Sequence, residues 1–272
     1  TTSSVYPTLV GAPEQSRPKA DLGDGTKGWH FDVTLHNLSG AEATYALSSQ
    51  ALSEIVEGGF FTGKSADWRG KGVDIAIDFH GRIHAGMASR LIDAIAPYYP
   101  MFVEEPVLPE NVEVMASIAA KTSVPIATGE RLFTKWAFRN VLEEHAAVVL
   151  QPDTCHCGGI FEVRKIASMA EMYYASVAPH NPLGPISLAA CLQVDACTPN
   201  FLIQEHPGMA EGWDCGVGYL KKPFEIVNSY IDVPTAPGLG IEVNEDFVRE
   251  NSYSGDWDTP RLFYEDGSVA QW

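Results

Sequence analysis

Asp78, Glu104 and Glu130 stand 26 residues apart, each at the end of a short apolar run. The runs are Val73-Asp-Ile-Ala-Ile before Asp78, Met101-Phe-Val before Glu104 and Val124-Pro-Ile-Ala-Thr-Gly before Glu130. Three hard oxygen donors converging on one point suit Mg²⁺, which prefers octahedral oxygen coordination and keeps some of its water. The rhythm continues with Asp153 after Ala147-Val-Val-Leu-Gln-Pro, His180 after Ala175-Ser-Val-Ala-Pro and Glu205 after Phe201-Leu-Ile-Gln.

His80 lies two residues beyond Asp78, and strand alternation puts both on one face if the strand runs that far. A histidine titrates near neutrality, so His80 and His180 facing one another across a metal site could work on opposite faces of a substrate. Asp153 is placed to hold His180 in one tautomer and raise its basicity. Glu205 could hydrogen-bond a developing enediolate if kept protonated, or sit as a salt-bridged rim residue. Together these groups suit abstraction of a proton next to a carboxylate. If His180 takes that proton and His80 protonates a departing β-hydroxyl, water is eliminated; if His80 returns a proton to carbon, the result is racemisation. Glu105 points to the other side of its strand and reads as a packing or supporting residue. Arg131 reads equally as a holder of substrate oxygens or of its own loop. His30, His36, His84, His145, His156 and His206 read as structural.

The elements that must position these groups follow from the spacing. A strand, a helix and two short loops take about 25 residues. Six successive units presenting chemistry at the same strand end describe a TIM-type (β/α) barrel, whose active sites are built at the C-terminal ends of its strands. The strands are short and apolar, as burial on both faces requires. Helical patterns run over 86–96, with Met87, Leu91 and Ile95 as the core stripe, and over 112–120, 136–142, 159–173 and 185–197. In the fourth of these the stripe is Ile160, Val163, Ile166 and Met169.

Residues 1–28 are rich in Pro, Gly, Ser and charge and read as loop or disorder. His30–His36 reads as a first strand, 41–56 as its helix and 58–64 as a second strand. Only 65–72 then precede the third strand, too few for a crossover helix. Residues 29–240 are thus taken as the barrel, with 238–243 as a late strand and 241–272 as a tail.

The chain has 272 residues, enough for one such barrel. Its 18 basic and 35 acidic side chains give a net charge of −17, which disfavours nucleic acid as a partner. No run of 18 apolar residues predicts a membrane span, and the first residues show no secretory pattern. Five cysteines, an odd number, fit reduced thiols. Cys155-His156-Cys157 lacks a second ligand pair at a zinc-like spacing and reads as packing at a helix start.

On the motifs Ile77-Asp-Phe-His-Gly-Arg82, Phe102-Val-Glu-Glu-Pro-Val-Leu-Pro109, Ile126-Ala-Thr-Gly-Glu-Arg131, Gln151-Pro-Asp153, Ala178-Pro-His-Asn-Pro182 and Gln204-Glu205, the chain resembles the enolase superfamily, mandelate-racemase branch. The nearest likeness is to its galactonate dehydratases. The resemblance implies a Mg²⁺-dependent dehydratase turning a sugar acid such as D-galactonate into a 2-keto-3-deoxy acid. It implies Asp78, Glu104 and Glu130 as metal ligands, His180 with Asp153 as the base, His80 as the acid and Glu205 as the enolate-stabilising residue. It further implies a cytoplasmic enzyme, a homo-oligomer, with no nucleic-acid or membrane partner. Against the family pattern, the N-terminal α+β cap and part of the first βα units are missing, and only Lys64 stands where racemases of this branch carry a Lys-x-Lys pair. A mandelate-type racemase and a truncated, non-catalytic barrel are the alternatives.

Overall fold

In the computed structural model, residues 76–255 are described except 209–211 and 228, together with short extended segments before Ala76. The chain divides into two units, Thr1–Val107 with Asp256–Trp272, and Leu108–Gly255.

In the first unit, β1 (Ile77–Asp78) and β2 (Val103–Glu104) are parallel neighbours, with Asp78 opposite Glu104. The pairing runs on beyond the strands: the Phe79 N–H donates to the Glu104 carbonyl at 2.9 Å and the Gly81 N–H to that of Glu105 at 2.8 Å. Between them lies α1 (Ala85–Ile95), whose N-terminus is capped by the His84 ring accepting the Gly86 N–H. The buried stripe of α1 is Ala88, Ile92 and Ile95: Ile95 faces inward as expected, while Ala88 and Ile92 stand in place of the expected Met87 and Leu91. Met87 is solvent-exposed. Small Ala88 allows the helix to sit close to its neighbours, which a stripe chosen for large side chains overlooks.

Earlier in this unit the expectations fare differently. Phe31–His36 is a strand, but Glu42–Leu47 pairs with it antiparallel, over part of the range expected to be helical. The intervening Asn37-Leu-Ser-Gly40 carries turn chemistry, and a hairpin partner outweighs weak local helix preference. Within 1–28, expected to be unstructured, Ser3–Val5 pairs in parallel with Val73–Ile75, Pro7–Thr8 pairs with Thr34 and Leu35, and Ala20–Asp21 pairs with Lys27–Gly28. Composition does not report such pairings, because backbone groups make them. The expected second strand at 58–64, and 65–72 after it, lie outside the described residues.

In the second unit four helices alternate with strands: α2 (Val112–Ala119), α3 (Thr134–Glu143), α4 (Ile160–Met172) and α5 (Pro185–Asp195). They alternate with β3 (Ile126–Thr128), β4 (Val149–Leu150) and β5 (Ser176–Val177), all parallel, with Thr128 opposite Leu150 and Leu150 opposite Val177. An eighth strand was expected before Glu205; there the chain makes a parallel bridge between Val177 and Phe201, with the Leu202 N–H donating to the Val177 carbonyl at 2.8 Å. The late strand expected at 238–243 is reduced to one antiparallel bridge between Leu220 and Val243. Short β6 (Ile226–Val227) and β7 (Tyr230–Ile231) form a hairpin, and α6 (Glu245–Glu250) follows.

The core of this unit contains Phe138, Leu142, Leu150, Ile166 and Leu188, all shut off from solvent. Burying each such side chain stabilises the fold by about 1.5–3 kcal/mol before entropy is counted. The inner stripe of α4 keeps the expected Val163 and Ile166, with Ala167 and Ala170 in place of the expected Ile160 and Met169. Ile160 is exposed. α5 starts on Pro185, which has no N–H to leave unpaired, and is buried on most of its circumference.

Candidate active site

The backbone register places the chemistry. Thr128, Leu150 and Val177 share one level across β3, β4 and β5. Glu130 follows its strand by two residues, and Asp153 and His180 follow theirs by three. The structure brings these three side chains together. His180 Nδ1 lies 2.8 Å from Asp153 Oδ2, and His180 Nε2 lies 2.9 Å from Glu130 Oε2.

Asp153 is completely buried. Its Oδ1 accepts the N–H groups of Cys155 (2.7 Å) and His156 (3.0 Å), so Oδ2 is the oxygen turned to the imidazole. Burial opposes its ionisation, but the bond and charge of His180, the His156 ring and the Cys155 N–H outweigh this and hold its pKa below the usual carboxylate range. His180 is buried too, which by itself would favour the neutral ring. The hydrogen bonds to Asp153 and Glu130 and the charges of Glu205 and Glu130 reverse that and push its pKa up to about 11. Both ring nitrogens face carboxylate oxygens, so only the imidazolium satisfies both.

Glu205 is fixed by the chain after His180: its Oε2 accepts the Asn181 N–H at 2.7 Å. The Glu205 carbonyl accepts from the side chains of Gln204 (2.8 Å) and Asn181 (3.5 Å). Arg131 Nε lies 3.5 Å from Glu130 Oε1. His156, read from the sequence as structural, stands beside the dyad, with Nδ1 3.6 Å from Asp153 Oδ2. Cys157 is buried, and its carbonyl accepts the Thr134 N–H at the start of α3, in keeping with packing at a turn.

Two residues that stand inside the quoted motifs without a role of their own there are built into this arrangement. Asn181 is fully buried beside His180; its position directly after that histidine was the available signal. Gly129 lies against β4, and a Cβ there would come within 2.6 Å of the Gln151 backbone. Gly129→Ala is therefore expected to destabilise the chain by about 3 kcal/mol, since backbone cannot step aside as a flexible side chain can. Urea denaturation measures this; a loss below about 1 kcal/mol would mean that the neighbouring strand yields easily.

In the first unit, Asp78 and Glu104 occupy register-matched positions at the ends of neighbouring parallel strands. Strand alternation does not carry His80 onto the face of Asp78, as expected, because the strand stops at Asp78 and His80 sits in a turn with φ 51°. Its ring reaches Asp78 by another route: the His80 N–H donates to Asp78 Oδ1 at 2.6 Å and Nδ1 lies 3.3 Å from Oδ2. Glu105 is completely buried, and with φ 36° it too lies outside strand alternation. Asp78, Glu104 and Glu130 offer the hard carboxylate donors that Mg²⁺ takes, each at or just past the C-terminal end of its strand. In donor chemistry these residues fit the cation.

Parallel βα units with carboxylates and a carboxylate-held histidine at their C-terminal ends define a class, and the comparisons agree. The chain belongs to the enolase C-terminal domain-like family, which matches residues 66–247; its fold class is the TIM-type barrel of the enolase superfamily. A D-galactonate dehydratase of Ralstonia nicotianae is 47% identical over 209 residues, covering 75% of this chain and 54% of the relative. A second, from Variovorax paradoxus, is 46% identical over 206 residues, covering 74% and 54%. Among solved structures, a mandelate racemase/muconate lactonizing enzyme from Sulfitobacter is 39% identical with a TM-score of 0.69, covering 78% of this chain and 52% of that one. The chain thus spans about half the length of the curated relatives it matches. Among the described residues, no helix is long and apolar enough to cross a membrane.

Proposed function

We propose that this chain carries the barrel active site of a Mg²⁺-dependent sugar-acid dehydratase acting on D-galactonate or a similar aldonate. The observation that carries the reading is the buried Asp153–His180 pair at 2.8 Å, with Glu205 tied to the next residue, Asn181. The similarity to D-galactonate dehydratases supports the substrate class.

In this reading His180 Nε2 takes the α-proton, while the Asp153 carboxylate accepts a hydrogen bond from Nδ1–H, stays ionised and fixes the ring. The electrons of the broken C–H bond form an enediolate, which Glu205 steadies by donating a hydrogen bond once its carboxylate has taken up a proton. His80 gives a proton to the β-hydroxyl as the carbon–oxygen bond breaks, and water leaves. The enol product tautomerises to the 2-keto-3-deoxy acid. When held by Asp78, Glu104 and Glu130, Mg²⁺ supplies positive charge beside the substrate carboxylate. Nε2 is engaged by Glu130 here, so it becomes a base only when that carboxylate turns to another partner. The reading places the enzyme in the cytoplasm as a homo-oligomer.

Incubation with D-galactonate and Mg²⁺ is expected to yield a 2-keto acid, detectable as its semicarbazone, and EDTA is expected to stop it. Exchange of the C2 hydrogen in D₂O without loss of water would replace this reading by racemisation. A folded, Mg²⁺-binding chain that forms no keto acid from a panel of sugar acids would overturn it.

A further inference from the structure

Directly after Glu205, the chain places a second group of metal-type ligands that the dehydration chemistry does not use. His206 Nε2 lies 3.2 Å from Cys215 Sγ and 3.2 Å from Asp214 Oδ2. One ligand atom from each of the three residues falls within 4.8 Å of the others. Asp214 is fully buried and the His206 side chain is 9% exposed. The Cys215 N–H donates to Asp214 Oδ1 at 3.0 Å, which turns Oδ2 towards the imidazole.

We propose that His206, Asp214 and Cys215 form a further metal site, one for a borderline-soft dication of the zinc type with a fourth position left to water or a small ligand. The donor set argues for it. Imidazole nitrogen, carboxylate oxygen and thiolate sulfur are the zinc ligands, whereas Mg²⁺ takes oxygen. Zinc–ligand bonds of about 2.0–2.3 Å give tetrahedral edges of about 3.3–3.6 Å, so the two 3.2 Å separations need to open by only a few tenths of an ångström. A hydrogen-bonded trio explains the arrangement less well. Nε2 lies 3.2 Å from both the carboxylate oxygen and the sulfur, so a single proton cannot be directed fully at both. Burial and Asp214 push the Cys215 thiol up to about 11. Binding therefore breaks the S–H bond, leaves both its electrons on sulfur to form the metal–sulfur bond, and releases the proton to solvent.

The site would tie the turn at 212–216 to the segment that carries Glu205, but its test needs no turnover. The full chain, stripped with a chelator and then saturated with Mg²⁺ to fill the carboxylate ligands, is titrated with Co²⁺. One equivalent is expected to bind with a thiolate-to-cobalt charge-transfer band in the near ultraviolet and the intense visible bands of tetrahedral cobalt, with about one proton released. Zn²⁺ should displace it. Cys215→Ser, folded by circular dichroism, should lose the near-ultraviolet band and bind at least about a hundredfold more weakly. Absence of the band in the wild-type chain, or its persistence in folded Cys215→Ser, would overturn the proposal. If that variant does not fold, X-ray absorption of the wild-type zinc form decides: one sulfur in the coordination shell supports the site, and nitrogen and oxygen alone refute it.

Discussion

Asp153→Asn is expected to abolish turnover almost as thoroughly as His180→Ala, with kcat falling about 10³–10⁴-fold in both. For His180→Ala the reason is the loss of the only group whose Nε2 could take the proton in the proposed mechanism. For Asp153→Asn the argument is finer. Oδ1 of Asp153 is pinned by the N–H groups of Cys155 and His156. An asparagine in that place must put its oxygen there, because its NH₂ cannot accept those bonds. The NH₂ then faces His180 Nδ1, which lies 2.8 Å from the present Oδ2. Nδ1 has to become the acceptor, the ring proton moves to Nε2, and the nitrogen meant to accept the substrate proton already carries one. Steady-state kinetics on the folded variants, with nitrogen-15 NMR of the ring to read the tautomer, tests both halves. Activity of Asp153→Asn within tenfold of the parent would show that Asp153 only packs beneath the ring.

The second large effect concerns stability. Asp195 ends α5, and both its carboxylate oxygens are shut off from solvent with no hydrogen-bond partner among the described residues. Burial pushes its pKa up from 3.8 to about 8. The folded chain therefore keeps a proton at pH 7 that the unfolded chain gives up, so folding is linked to proton uptake. The sign follows: the group costs nothing below about pH 4, costs progressively more as pH rises towards 8, and levels off above that. The slope is at most about 1.4 kcal/mol per pH unit. Asp195→Asn removes the titration while keeping the shape. The variant is expected to match its parent near pH 4 and to exceed it by about 2–4 kcal/mol at pH 8, in urea unfolding at several pH values. Parallel stability curves for the two proteins would show that Asp195 is solvated or paired in solution.

Much of the site was legible because its chemistry is periodic. Carboxylates at constant spacing after apolar runs announced parallel βα units, and α1 to α5 lie within a few residues of their expected positions. The partnership of Asp153 with His180 was legible too, since neighbouring strand ends are neighbours in space. Other features were not. The inner stripes of α1 and α4 use alanines, and an alanine carries little hydrophobic signal although it decides how closely a helix can pack. The hairpin of Phe31–His36 with Glu42–Leu47 depends on backbone pairing that local propensity does not weigh.

The residue types and their intervals alone determined that this is a chain of strand–helix repeats with carboxylate and histidine side chains at the same end of successive strands. That followed from the rise of the backbone and the length of a crossover, which are the same for any sequence. Only the tertiary structure decided which oxygen meets which nitrogen: that Oδ2 rather than Oδ1 of Asp153 faces His180, that Glu130 holds Nε2, that Gly129 must lack a side chain, and that His206, Asp214 and Cys215 converge. These are contacts a few ångströms long, made by turns that swing side chains out of the strand alternation, and no periodicity carries information about them.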